Sequence, residues 1–448
     1  MYPSLMYRSL LELEKNGTPL RVALVGVGSM GMGITLQIRE TPGLCLMAIA
    51  DIDIERAKSG AALYRDEPFS WHQRKNYASE DIWIGTDIIP YLESMGEKVD
   101  VLIEATNTVS YAARACITAF KKKVYVVLMN AEVDVLIGPL LHQIASQNGV
   151  MVTSDAGDQP GVLMNMIEEI CLWGFRPVMA GNIKGFLNRY ATGSSLIEEA
   201  RIRNLNPIQC AAYTDGTKLN IEMALVASAT GMMPFCRGME GPVAEEVTQV
   251  FEKFDFTRYD ERGVVDYILG ARPGGGVYVV GYCDDPVQMA YLKYYKMGEG
   301  PFYLFYRPYH LCHLETPFAI AQLCIAKQPV LKPIFGQLTH VIAMAKKNLK
   351  KGEVINGGIG SDHFYGLIER REVAETILAI PITLIDPEPN NPCRMKRDVA
   401  KDEVVTFDDL EIPDSNLFQL YRRQQELFKN GLIPTDGTSV YKNQYKDY

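Results

Sequence analysis

Apolar runs recur through the first 155 residues, with helical stretches between them. RVALVGVG opens the series. CLMAIAD (45–51), VDVLIEAT (99–106), KVYVVLMNAE (123–132) and GVMVTSD (149–155) follow at similar apolar density. SYAARACITAFKK (110–122) and VLIGPLLHQIASQ (135–147) read as helices between them. Apolar strands alternating with helices predict a parallel sheet covered on both faces. Ahead of the first strand lies an amphipathic helix, with Leu5, Leu10, Leu11 and Leu13 apolar and Asn16-Gly17 as its stop.

The rhythm breaks after Asp155. GDQPGV, a helical LMNMIEEICLWGF and the Gly-interrupted ARPGGGVYVVGY (271–282) suggest a different, α+β domain. TPFAIAQLCIAKQ (316–328) is a further helix, apolar nearly all round. From about residue 335 short β-like pieces with turn signals follow: NGGIGSDHFYG, AIPITL, DPEPNNPC and RDVAKDEVVTFDDLEIP. The division read from this is 1–155 for a nucleotide domain and 156–334 for a substrate and dimerisation domain. Helix 316–328 returns to the first of these. Residues 335–436 then form a small, mainly-β domain, and 437–448 a polar, frayed tail.

Composition narrows the picture by exclusion. The 448 residues carry 45 basic and 54 acidic side chains, a formal charge of −9, which argues against a nucleic-acid or anionic-membrane surface. Nine cysteines (45, 116, 171, 210, 236, 283, 312, 324, 393) include no C-x-x-C pair, so they read as free thiols in a reducing compartment. MYPSLMYRSLLELEKNGTP is charged throughout and does not read as a signal peptide. No run reaches the ~18 uninterrupted apolar residues of a membrane span. The expectation is a cytoplasmic protein with a small-molecule substrate.

The most specific chemistry lies at Gly26-Val27-Gly28-Ser29-Met30-Gly31, after the strand Val22–Val25 and at the start of a helix. In this fingerprint the first glycine permits a tight turn, the second lets backbone approach a pyrophosphate, and the third packs helix on strand. The helix N-terminus offers N–H groups and a positive dipole end to the phosphates. Asp51 ends the next strand 20 residues after Gly31 (51 − 31), where the fingerprint places an acid for the adenosine ribose. The fold this predicts is a Rossmann doubly wound parallel sheet. Asp51 favours NAD; Arg56, a few residues on, leaves NADP open. The alternative for Asp51 is a helix N-cap, a role Asp53 could fill instead. Ala105, Thr106, Asn130 and Glu132 stand at the carboxyl ends of later strands, where they either line the ligand crevice or cap helices.

A nicotinamide enzyme must polarise a carbonyl or deprotonate an alcohol, and a lysine held in a buried place suits that task. Lys184 lies in GNIKGFLNRY between glycines. Lys218 lies in YTDGTKLNIEMALVA, in the first turn of a helix after the Asp215-Gly216 turn, where a cation is electrostatically unfavourable. Glu222 shares its face, four residues on, and a plain surface ion pair is the competing account. Arg307, Tyr309, His310, His313 and Glu315 crowd into nine residues. They make either a substrate or anion loop anchored by Arg307, a metal site of unrecognised spacing, or a loop of core-satisfied side chains.

GVGSMG, LMNAEVDVLIGPLL, GDQPG, GNIKGFLN and DGTKLNIEMALVASATG, in this order, resemble the homoserine-dehydrogenase-like oxidoreductases. PGGGVYVVG, KMGEGPFYLFYRPYHLCHLETP and RDVAKDEVVTFDDL resemble the subgroup with a C-terminal SAF domain, which includes the 1-deoxy-D-xylulose-5-phosphate-reductoisomerase-like enzymes. The resemblance spans about residues 20 to 435. It implies a Rossmann domain, a dimerising substrate domain and hydride transfer to or from a small polar or phosphorylated substrate. Lys218 matches the superfamily's catalytic lysine. Asp215 matches its aspartate loosely, standing three rather than four residues before that lysine. The superfamily's Asn-Lys pair after the fifth strand is Asn130-Ala131 here, and Lys184 is the candidate replacement. Asn188, Glu222, Arg307 and His310 complete the expected substrate contacts, with no resident metal.

Three functions follow in order of weight. The first is an NAD(P)-dependent dehydrogenase or reductase acting as a homodimer or higher homo-oligomer. The second is a reductoisomerase, which would add a divalent metal. The third is a non-catalytic, NAD-responsive binding protein.

Overall fold

The computed structural model describes residues 5–66, 82–202, 205–386 and 391–433. The tail expected over 437–448 lies outside these residues. The chain forms two units, one from Met1–Gly161 with Leu311–Lys332 and the other from Val162–His310 with Pro333–Tyr448.

The first unit begins with α1 (Leu5–Asn16), β1 (Leu20–Val25), α2 (Ser29–Glu40), β2 (Leu44–Ala50), α3 (Ile54–Arg65), β3 (Trp83–Gly85) and α4 (Ile88–Met95). It continues through β4 (Val101–Glu104), α5 (Val109–Lys121), β5 (Tyr125–Leu128), α6 (Ala131–Gln147) and β6 (Val152–Ser154). The strands make one sheet in the order β3-β2-β1-β4-β5-β6, every pairing parallel. β1 and β4 are buried on both faces because helices cover each side, which is why their sequences are continuously apolar. The expected Rossmann sheet is therefore present. It also has a strand that the pattern misses: β3 is three half-exposed residues at the sheet edge, too short to show a period, with Trp83 packed on Tyr91. α6 starts earlier than expected, at Ala131, because the Asn130 carboxamide oxygen accepts the Val133 N–H at 3.2 Å and caps the helix.

α7 (Gln159–Leu172) leads into β7 (Arg176–Lys184), α8 (Ile197–Ile202), α9 (Pro207–Thr214), α10 (Thr217–Thr230) and α11 (Val250–Lys253). β8 (Val264–Leu269), β9 (Val277–Tyr282), α12 (Pro286–Tyr294) and β10 (Phe302–Arg307) complete a sheet ordered β10-β9-β7-β8, antiparallel except for β7 with β8. α13 (Cys312–Cys324) belongs to the first unit, where Gly33 of α2 leaves room for the His313 ring; a Cβ there would come within 2.5 Å of it. Thr153 ends this return by accepting the Val330 N–H at 2.8 Å.

The remainder of the second unit holds β11 (Thr339–Ala345), β12 (Val354–Ile355), β13 (Phe364–Arg370), α14 (Arg371–Thr376), β14 (Cys393–Met395), β15 (Leu410–Glu411) and α15 (Asn416–Lys429). β11 pairs antiparallel with β13, and β12, β14 and β15 form a separate small sheet. α10 is the buried axis of the unit, with every residue from Thr217 to Ala229 buried. A helix enclosed on all sides must satisfy its polar groups internally, and β13 helps. Thr217 Oγ1 accepts the Gly366 N–H and Asn220 Oδ1 the Ile368 N–H, both at 2.8 Å. Among the described residues no helix is long and apolar enough to cross a membrane.

Candidate active site

The glycine turn of the first unit separates the demands of packing from those of a ligand. Gly26 adopts φ +90°, and a Cβ on it would lie 2.5 Å from the Ala105 carbonyl carbon. A Cβ on Gly31 would overlap the Gly26 carbonyl oxygen. Both glycines are required by the protein itself. Gly28 is different: its φ of −74° suits any residue, and a Cβ on it would meet nothing within 4 Å. No packing demand accounts for a bare backbone there, whereas a pyrophosphate laid against the α2 N-terminus would. The cradle thus fits a dinucleotide, whose phosphates the Gly28, Ser29 and Met30 backbone would face.

Asp51 closes this turn. Its Oδ2 accepts the Val27 N–H at 2.7 Å and its Oδ1 the Asp53 N–H at 2.9 Å. The helix cap is Asp53, which accepts the Glu55 N–H at 3.0 Å. Arg56 lies 3.5 Å from Asp53. Two of the carboxylate's four lone-pair sites on Asp51 are used by backbone, leaving acceptor capacity for ribose hydroxyls.

β4 ends on Glu104, which is fully buried. Its Oε1 accepts the Thr106 N–H at 3.0 Å and contacts the Thr106 hydroxyl, and burial pushes its carboxyl up to about 8. The Asn130 carboxamide donates to Thr108 O at 3.0 Å, tying the ends of β4 and β5 together. Glu132 sits in the first turn of α6. Asp155, just beyond β6, is likewise pushed up to about 7 by burial. These two buried acids were invisible in the sequence, since nothing local distinguishes a buried carboxyl from a solvated one.

In the second unit, Lys218 occupies the first turn of α10 with only 8% of its surface exposed, and Glu222 one turn on is 3% exposed. The surface-pair account of these two is therefore corrected, because α10 is buried on all sides. Gly216 caps the helix at φ +87°, a left-handed conformation that a glycine supplies without strain. Asn182 of β7 donates its Nδ2 hydrogen to Glu222 Oε2 at 3.1 Å, an unforeseen neighbour of the site. Lys184 ends β7 and donates to Tyr213 O at 3.0 Å. Asn188 is exposed and accepts the Tyr190 N–H at 3.1 Å. Arg307 ends β10 with its guanidinium carbon 4.6 Å from the centre of the Tyr309 ring, and His310 follows it, half-buried.

Asp215 is committed to structure. Oδ1 accepts the Thr217 N–H at 2.7 Å, and Oδ2 lies 2.8 Å from the Lys346 ammonium. Burial raises its carboxyl above the usual range, although Lys346 opposes the shift. Lys218, Glu222, Asn182 and Lys184 thus come from two neighbouring elements, α10 and β7. His313, once grouped with His310, packs against α2 in the first unit.

Residues 157–316 match a family model described as the catalytic domain of oxidoreductase DRL. No curated protein matches the chain. Among solved structures, a hyperthermophilic archaeal homoserine dehydrogenase in complex with NADPH is 12% identical, covering 70% of this chain and 100% of its own, at a TM-score of 0.41. A homoserine dehydrogenase from Thiobacillus denitrificans is 14% identical over 75% of this chain and 83% of its own, at 0.39. A probable dehydrogenase from Thermotoga maritima is 12% identical over 70% and 91%, at 0.39. Likeness of this degree concerns the fold alone. The chain thus joins a glycine cradle that fits a dinucleotide, in the first unit, to a stretch, 157–316, that matches an oxidoreductase catalytic domain.

Proposed function

We propose that the chain moves a hydride between nicotinamide and the carbonyl or alcohol carbon of a small polar substrate, with NAD preferred over NADP. The observation that carries this reading is Lys218, a lysine enclosed in the first turn of a buried helix beside Glu222 and Asn182. A lysine there can donate a proton to a bound carbonyl oxygen, and its amine can accept one from a bound alcohol. In the reducing direction Lys218 Nζ gives its proton to the carbonyl oxygen as the carbon gains hydride. In the oxidising direction Nζ takes the alcohol proton. Glu222 and Asn188 offer hydrogen-bond acceptors to substrate hydroxyls, Lys184 supplies a second positive group, and Arg307 with His310 holds an anionic end. The bound nicotinamide would supply the hydride or accept it. Asp51 supports NAD because a carboxylate repels a 2′-phosphate.

The experiment is a panel of hydroxy acids, sugars and sugar phosphates with NADH and NADPH, followed by absorbance of the reduced cofactor. Lys218→Ala is expected to abolish turnover of the substrate found while NADH still binds. Retained turnover would remove Lys218 from the mechanism.

A finer reading is a reductoisomerase carrying a SAF-like C-terminal domain. It is favoured by one observation: two segments resembling that subgroup, 273–281 and 296–317, fall inside the matched stretch 157–316 but for Pro317. Oxidation of NADPH with deoxyxylulose phosphate and a divalent metal, absent with NADH, would select it. A homodimer remains part of the proposal, and sedimentation of the full chain tests it.

A further inference from the structure

One buried lysine outside the proposed chemistry joins three separate pieces of the second unit. Lys346 follows β11 with its side chain 2% exposed. Its ammonium lies 2.8 Å from Asp215 Oδ2, donates to Ala191 O at 2.7 Å and donates to Ser361 O at 2.8 Å. Two of the ammonium's protons go to these two carbonyls, and the Asp215 carboxylate faces it as the third partner, an ion pair. Asp215 stands at the turn that starts α10, Ala191 in the loop after β7, and Ser361 in the loop before β13. Asp215 then passes the constraint on, because its other oxygen accepts the Thr217 N–H, one residue from Lys218.

The loop after β7 is gripped a second time from the same C-terminal stretch. The Tyr190 hydroxyl donates to Asp402 Oδ2 at 2.9 Å, and Tyr365 donates to Asp402 Oδ1 at 3.0 Å. Lys401 Nζ lies 3.5 Å over the Tyr190 ring. Asn188 sits two residues before this hook. The stretch after residue 333 therefore holds both the substrate loop and the start of the catalytic helix.

We propose that Lys346 is a positioning residue for the reaction, locking loop 185–192 and the first turn of α10 into one arrangement, with Tyr190–Asp402 as a second clasp on the loop. This rests on the reading of Lys218 as the proton-transferring group. It gives the C-terminal stretch a function in catalysis: the register of Asn188 against Lys218 is set from there.

The test is amide hydrogen exchange on the full chain saturated with NADH. Lys346→Met with Asp215→Asn removes both charges together, so no buried ion is left alone. Exchange is expected to rise about tenfold over 186–192 and over 217–222, with the glycine turn 26–31 unchanged. Lys346→Arg, keeping the charge, recovers protection over 217–222. Tyr190→Phe raises exchange over 186–192 alone, which keeps the second clasp testable whatever the yield of the first variant. With a substrate from the panel, kcat falls about tenfold in the double variant while NADH affinity holds. Unchanged exchange in both segments overturns the proposal. So does a rise spread evenly through β11 and β13, which is mere loss of stability. Activity surviving in Lys218→Ala would strike the functional reading and leave the exchange result to stand or fall by itself.

Discussion

The Asp51 carboxylate accepts the Val27 amide at 2.7 Å, so the acid at the end of β2 holds the glycine turn closed in the protein alone. Construction of the cradle thereby falls to the same side chain that the proposed function gives to ribose recognition. Asp51→Asn keeps one oxygen acceptor and turns an NH2 toward the other amide. Losing a charge-assisted hydrogen bond of about 1.5–3 kcal/mol should weaken NADH binding by roughly ten- to a hundredfold. Fluorescence titration with both cofactors reads it. A larger loss for NADH than for NADPH marks ribose recognition, and an equal loss marks the turn alone.

The middle and last glycines should respond oppositely to one methyl group. Gly28→Ala meets no protein atom and has an ordinary φ, so its melting temperature should hold or rise slightly, while NADH binding is lost. Gly31→Ala drives a methyl into the Gly26 carbonyl and should cost about 1–3 kcal/mol of stability by overpacking. Calorimetry beside NADH titration separates the two. Binding retained in Gly28→Ala would place the pyrophosphate elsewhere.

How much of this was legible in the chain follows from distance along it. The parallel sheet could be read because burial on both faces writes itself into consecutive residues. The glycine turn and Asp51 could be placed because both lie within one strand–helix–strand unit. Lys346 could not: it meets Ala191 across 155 positions, and no local pattern marks a lysine whose acceptors arrive from three loops. Asn182 was hidden likewise, being one polar residue in an otherwise buried strand whose partner Glu222 lies 40 positions on. β3 went unseen because three residues carry no period.

Glu104 should make the first unit sensitive to pH. Burial raises its carboxyl from 4.5 to about 8, so the folded protein keeps a proton that the unfolded chain releases. Stability is then fully present below the unfolded value, declines as pH rises between the two values, and is flat beyond about 8. Glu132, Asp134, Cys116 and Tyr111 face the same region, and a charge on Glu104 would also oppose bound phosphates. Glu104→Gln copies the neutral acid. The variant should match the parent near pH 5, exceed its melting temperature at pH 8, and abolish any weakening of NADH binding above pH 8. Parallel pH profiles for the two proteins would show that Glu104 does not titrate in this range.

Asn182 tests the arrangement of α10 from the sheet side. Its carboxamide donates to Glu222 Oε2 at 3.1 Å, and both residues are buried, so the hydrogen bond orients the carboxylate one turn beyond Lys218. Asn182→Ala removes a hydrogen bond to a charged group, worth about 1.5–3 kcal/mol, and should lower kcat on the panel substrate by about tenfold or more. NADH affinity should not change, since the glycine turn is untouched. Asn182→Asp is the more telling substitution. It sets a second carboxylate against Glu222, and two close buried carboxylates cannot both ionise easily. Its kcat should therefore fall below that of the alanine variant. Turnover of the three proteins at one pH checks this. Equal kcat in the alanine and aspartate variants would mean that Asn182 does not govern Glu222.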